Sequence, residues 1–176
     1  MTSTKFSPED LAAIEEIKQL KAKYCYHVDH KEWEKWAAIF TPDARVDESA
    51  YPIARDVITG ERVPVPNYSL EFLDQLSAGF DWPLVGRDAI RAFGEAAGSD
   101  ERTRTIHHVY QCEVILTSST TAQADWPMED YVWWPEGSPV RHSHGLGYYR
   151  ETYEKLEDDR WYIASIDLTR SFIEYR

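Results

Sequence analysis

An α+β domain, with helices first and antiparallel strands after, is what this sequence predicts on three observations. Apolar side chains recur at helical spacing between Leu11 and Tyr24, the period changes to that of strands after Gly98, and turn compositions separate the long β-rich segments that follow. The 176 residues, 43% of them hydrophobic, suit one compact domain over residues 1–176 that buries a core and leaves room for a pocket. We expect a curved, mostly antiparallel sheet packed on about three N-terminal helices.

The first helix starts where Ser7 can act as N-cap, with Pro8 at the first helical position and Glu9 and Asp10 in the first turn. Leu11, Ile14, Ile17, Leu20 and Tyr24 form one stripe along it, and it runs to about Val28. A second, shorter helix over Lys31 to Phe40 buries Trp33, Trp36, Ile39 and Phe40 and ends at Thr41-Pro42-Asp43. Ala44 to Asp47 reads as a short strand. From Glu48 to Pro83 the periodicity fails, broken by Pro52, Gly60, Pro64, Pro66, Gly79 and Pro83, with at most a helical turn at Ser69 to Leu76. Because this insertion carries Tyr51, Tyr68, Phe72, Phe80 and Trp82, it is expected to be a lid, a binding loop or an oligomer arm. A third helix follows from Gly86 to about Gly98. Ile106 to Leu116, Thr121 to Trp133, Val140 to Tyr153 and Arg160 to Arg170 are the four long strands.

Charge narrows the function. A net charge of −12 repels phosphates, which argues against nucleic acid and anionic membrane surfaces and in favour of a neutral small-molecule partner. No basic segment precedes an apolar stretch at the N-terminus and no apolar run is long enough to span a bilayer, so a soluble, cytoplasmic protein is expected. Cys25 and Cys112 fit no metal or redox spacing and read as buried thiols. Seven Trp and eleven Tyr among the 176 residues supply candidates for the lining of an aromatic-binding pocket, Tyr26 and Trp126 among them.

The stretch Lys23 to Trp33, where one helix gives way to the next, holds Asp29. Its carboxylate is placed either to N-cap the second helix or to point into whatever the helices cover. His107 and His108 open the first long strand; neighbouring residues face opposite ways, so one of them looks inward. If the first helix crosses the sheet, Asp29 can fix the tautomer of that imidazole and make it a general base. His142 and His144 share a strand face and could offer two imidazoles to a metal, with His107 or Glu113 as third ligand. Without an acidic ligand at a recognisable spacing, we expect no metal; His144, Tyr148 and Arg150 instead donate to substrate oxygens. No Gly-rich phosphate loop, G-x-S-x-G or cysteine nucleophile motif is present, which leaves cofactor-dependent and covalent routes without support.

The order of elements, together with Tyr24-x4-Asp29-x-Lys31-x-Trp33, Gly86-Arg87-Asp88-Ala89-Ile90, Thr105-Ile106-His107 and Tyr153-Glu154-Lys155-x5-Trp161, resembles the SnoaL-like branch of the NTF2-like superfamily. Within that branch it is similar to scytalone dehydratase, the bile-acid 7α-dehydratase and the hexachlorocyclohexane dehydrochlorinase, over nearly the whole chain except Glu48 to Pro83. The resemblance implies a cone-shaped α+β fold around a pocket. It also implies an acid–base dyad at Asp29 and His107, a helper acid at Tyr24, no cofactor, and a homodimer or homotrimer. The activity implied is a dehydratase-type lyase. Two alternatives stand beside it: a carbon–carbon lyase releasing formaldehyde from lignin-derived aromatic dimers, and a ligand-binding domain without chemistry. Val28 stands where scytalone dehydratase has a tyrosine, and Tyr148 and Arg150 stand near its strand serine and asparagine, so the resemblance does not carry the substrate.

Overall fold

The computed structural model describes residues 6–65, 68–77 and 79–176. Its elements are α1 (Pro8–Asp29), α2 (Trp33–Ala38), β1 (Phe40–Asp47), α3 (Leu70–Ser77), β2 (Leu84–Val85) and α4 (Arg87–Ala97), followed by β3 (Arg104–Val109), β4 (Val114–Leu116), β5 (Thr121–Trp133), β6 (His142–Lys155) and β7 (Trp161–Tyr175). One strongly curved sheet in the order β2-β1-β7-β6-β5-β3, with β4 also on β5, wraps around the helices. All pairings are antiparallel except β1 with β7. This is the α+β cone that the change of period announces.

Local chemistry sets the helix ends. Ser7 accepts the Asp10 backbone N–H while Asp10 accepts the Ser7 N–H, a reciprocal capping box that satisfies two orphan donors, with Pro8 at the first position. The buried stripe of α1 is Ile17, Leu20, Lys21, Tyr24 and Cys25; Leu11, in the first turn, stays exposed. The reversal into α2 uses Lys31 at φ 56°, a left-handed conformation. Its Nζ is tied across to the Asp100 carbonyl at 2.8 Å. Trp36, Ile39 and Phe40 are buried as expected, whereas Trp33 is half-buried and lies over Gly94 and Gly98 of the α4 end, where a Cβ on either glycine would collide with its ring.

Three expectations need correction. The second helix is only Trp33–Ala38, and Phe40 to Asp43, expected as its last residue and its stop, instead open β1, which is longer than the strand expected from Ala44. The segment Ile106 to Leu116 is two strands, because Tyr110 donates to the Pro127 carbonyl but Pro127 has no N–H to return, and the β3–β5 ladder stops there. The insertion also holds a full helix, α3, which makes four helices among the described residues. The middle of the insertion packs Ala54, Val65 and Leu73 against Val140, Ile173 and Tyr175 at the far end of the sheet, a second cluster beside the main core of α1, α2, α4 and the concave sheet face. Among the described residues no helix is long and apolar enough to cross a membrane.

Candidate active site

Asp29 is the last residue of α1, held over β3 by three hydrogen bonds. Its Oδ2 accepts the His107 backbone N–H at 3.0 Å, and its Oδ1 accepts the Thr105 hydroxyl at 2.9 Å and faces His107 Nδ1 at 2.7 Å. Asp29 does not cap the second helix: α2 begins after Glu32, with no side-chain cap. A carboxylate can only accept, so His107 Nδ1 carries the proton in this pair and the lone pair is left on Nε2. His107 and Asp29 side chains are 13% and 19% exposed, accessible enough to meet a ligand and dry enough for the pairing to matter. His108, one residue on, faces the other way and is 55% exposed.

His107 forms part of the wall of a cavity of about 290 Å³, with Asp29 bonded to it from behind. Tyr24, Val28, Trp33 and Trp36 line it from the first two helices, Phe93 from α4, Glu48, Tyr51, Phe80 and Trp82 from the two ends of the insertion, and Val132, Tyr149 and Leu168 from the sheet. Tyr24 is wedged among Trp36, Phe40 and Tyr149 with ring centroids 5.7, 6.2 and 5.8 Å away, and its hydroxyl donates to Glu48 Oε1 at 3.1 Å. Burial pushes the Tyr24 phenol well above its ordinary range and also raises the Glu48 carboxyl, against the lowering effect of Tyr24, His107 and Arg170. Burial therefore favours the neutral form of both groups.

Behind Tyr24, Lys21 and Glu151 form an ion pair at 2.5 Å whose side chains are both fully buried. The Lys21 ammonium lies 3.8 Å from the Tyr24 ring centre and 3.9 Å from that of Tyr149. Glu151 also accepts from the Tyr153 hydroxyl, which in turn accepts from Trp126 Nε1 at 2.7 Å. This buried network fixes the rings that form the cavity floor.

A second buried ion pair, Asp130 with Arg170, lies on the cavity wall itself. Sequence reasoning missed both residues, as it missed Glu48, Thr105 and Tyr149. A signal existed for Asp130, a lone charge at the inward parity of Met128-x-Asp130-x-Val132. Arg170 carried a like signal, a lone charge at the inward parity of Ile166-x-Leu168-x-Arg170, just before the irregular register around Ser171.

The proposed substrate-binding set does not gather here. Tyr149, which lines the cavity from β6, belongs to the inward series with Ser143, Gly145 and Gly147, whereas His144, Tyr148 and Arg150 have the opposite parity and stand on the outer face. His144 Nε2 is 2.7 Å from Glu129 and the ring stacks on Tyr131; Tyr148 is exposed; Arg150 pairs with Asp125. Tyr26 is 54% exposed and stacks on His30, and Trp126 is core, bonded to Tyr153. His142 lies on the same outer face, and among the described residues no group of three His, Cys, Asp or Glu side chains is placed to hold a metal. Cys25 is buried and Cys112 half-buried, both as free thiols raised to about 11 by burial.

The architecture is thus a curved α+β cone with a half-buried carboxylate–imidazole pair at the edge of an aromatic cavity. The SnoaL-like domain family matches residues 9–167, and the chain belongs to that family. Among solved structures it is similar to a scytalone dehydratase-like protein from Novosphingobium aromaticivorans DSM 12444, with 20% identity and a TM-score of 0.68 over 96% of this chain and 90% of that one. It is also similar to the hexachlorocyclohexane dehydrochlorinase LinA-type3 from Novosphingobium barchaimii LL02, with 12% identity and a TM-score of 0.67 over 96% and 92%. A third, a protein of unknown function from Mycobacterium tuberculosis, matches at 19% identity and a TM-score of 0.62 over 91% and 77%. At these identities the likeness establishes the fold.

Proposed function

We propose that this protein is a cofactor-independent lyase of the dehydratase type, acting on a neutral, hydroxylated, hydrophobic aromatic molecule. The observation that carries the reading is the 2.7 Å contact of Asp29 with Nδ1 of His107, whose side chain lines an aromatic cavity. His107 Nε2 takes a proton from carbon, the electron pair becomes the new C=C bond, and the leaving hydroxyl departs as water with a proton from Tyr24 or from the imidazolium. Where Tyr24 is the donor, its phenolate regains a proton through Glu48, to which it is hydrogen-bonded, and the imidazolium releases to solvent the proton it took from carbon while Glu48 takes one up, which resets all three groups. Every atom of this elimination comes from the substrate and the side chains. The positioned base is expected to contribute about a hundredfold to ten-thousandfold.

The same base could instead deprotonate a hydroxyl and release formaldehyde by carbon–carbon cleavage. Phe80 and Trp82, brought to the cavity by the insertion, favour a second aromatic ring and keep this reading alive. A panel of hydroxylated one- and two-ring aromatics, followed by mass spectrometry for loss of water or of formaldehyde, separates the two. His107→Ala should lower turnover of any substrate found by about a hundredfold or more. Wild-type turnover in that variant refutes the base, and ligands that bind without being converted by the wild type point to a binding domain.

A further inference from the structure

Trp33 lies flat against α4 and lines the cavity at the same time. A Cβ built on Gly94 would stand 2.6 Å from its Cε3 and 3.1 Å from its Cδ2, and one on Gly98 would overlap its Cζ2 and stand 3.1 Å from its Cε2. Cδ2 and Cε2 form the bond shared by the two rings of the indole, which no neighbour can approach within the ring plane. The helix therefore meets the indole through one face. Glycine inside a helix is destabilising relative to alanine, and the backbone at Gly98, with φ −94°, does not call for glycine either. What the two missing side chains provide is the space in which the indole lies flat. Lys31 ties the same turn to the same helix end, its Nζ 3.4 Å from the Gly98 carbonyl and 2.8 Å from that of Asp100.

No ring is stacked on the other face. The one ring contact of Trp33 among the described residues is with Trp36, T-shaped at 5.9 Å and 74°. Because α4 takes one face of the indole, the cavity meets it on the other. We propose that Trp33 is the stacking platform of this cavity, and that it selects planar aromatic ligands over saturated rings of the same outline. Two parallel, offset rings touch over their whole faces and match quadrupoles, a gain beyond the area they bury; a puckered saturated ring touches the platform only through its projecting hydrogens. Gly94 and Gly98 keep the indole back against the helix, so the ligand has room to lie on it. The proposal rests on reading this cavity as the substrate site, and is independent of whether the chemistry there is elimination or cleavage.

The test is calorimetric titration of the full chain at neutral pH with two matched probes, 2-naphthol and its saturated counterpart decahydro-2-naphthol. Wild type should bind 2-naphthol roughly two- to twelvefold more tightly, the range a stacked aromatic pair adds beyond buried area. His107→Ala should keep that preference, so failure of the catalytic reading leaves this result standing. Trp33→Phe keeps a ring and should keep the preference, whereas Trp33→Leu should bind the two probes alike. Gly94→Ala displaces the indole from its seat and should weaken 2-naphthol binding; added to Trp33→Leu it should change nothing further. Equal binding of the two probes by the wild type, tighter binding of the saturated one, or binding of neither overturns the platform. So does a preference that survives Trp33→Leu. Should that variant unfold, an unchanged 2-naphthol affinity in Gly94→Ala overturns it instead.

Discussion

Asp29→Asn isolates what the carboxylate does. Asp29 accepts three hydrogen bonds, from Thr105, from the His107 backbone and at His107 Nδ1. An amide offers one acceptor and one donor. Were its NH₂ to face the His107 backbone N–H, two donors would oppose each other with no means of adjustment, so the amide oxygen should take that position. The NH₂ then faces Thr105, whose hydroxyl can turn to accept, and the imidazole, which must accept at Nδ1 and move its own hydrogen to Nε2. All three bonds survive but lose charge assistance, at a cost of about 1 kcal/mol each. A total of about 3 kcal/mol in a chain of this size lowers Tm by about 6–12 °C. Nitrogen-15 NMR of the imidazole reads the tautomer without a substrate: Nδ1–H in the wild type, Nε2–H in the variant. Because Nε2 can then no longer take a proton, turnover should fall by about ten-thousandfold, as for other orienting carboxylates made amides. An unchanged tautomer together with a Tm shift below about 2 °C would refute the idea that Asp29 orients His107.

Three further outcomes are expected. Lys21→Met leaves Glu151 buried without its counter-charge and should cost about 3–5 kcal/mol in urea unfolding, most of it regained by adding Glu151→Leu; a loss under about 1 kcal/mol contradicts the buried pair. Glu48 has a carboxyl pKa raised by burial, so the native state binds its proton more tightly than the unfolded chain does, and stability falls as pH rises from the ordinary glutamate value through the raised native one. Glu48→Gln should flatten that fall in urea midpoints measured from about pH 4 to about pH 8, and identical slopes for the two proteins count against it. Finally, the outer sheet face exposes Ile106, Trp133, Tyr148 and Phe172, a patch suited to burial against a second copy. Light scattering at micromolar concentration should report a dimer or trimer, and a monomer contradicts this.

What the sequence determined by itself was whatever local period and local chemistry control. The capped start of α1, the stripe from Ile17 to Tyr24 and the full span of β5 are properties of short stretches, and all appear at or near their expected places. Asp29 and His107 were legible as candidates because few residue types do acid–base work, and because one ended a helical stripe and the other stood early in a β-rich segment. That they touch was a tertiary outcome, requiring α1 to cross β3. The remainder of the cavity wall was decided by strand register and crossing. Trp126 and Tyr149 share the concave face, yet one is core and the other lines the cavity, depending on what packs above them. His144, Tyr148 and Arg150 have side chains suited to binding but the wrong parity, fixed by which residue of β6 sits opposite β5 and β7. Arg170 has the inward parity of β7, but its guanidinium meets Asp130 only because Gly145 leaves the space. Glu48 lies in a stretch without periodicity and becomes part of the site only through contact with Tyr24, which lies 24 positions earlier in the chain. Such placements depend on pairs of distant segments, and the period within a single segment carries no information about them.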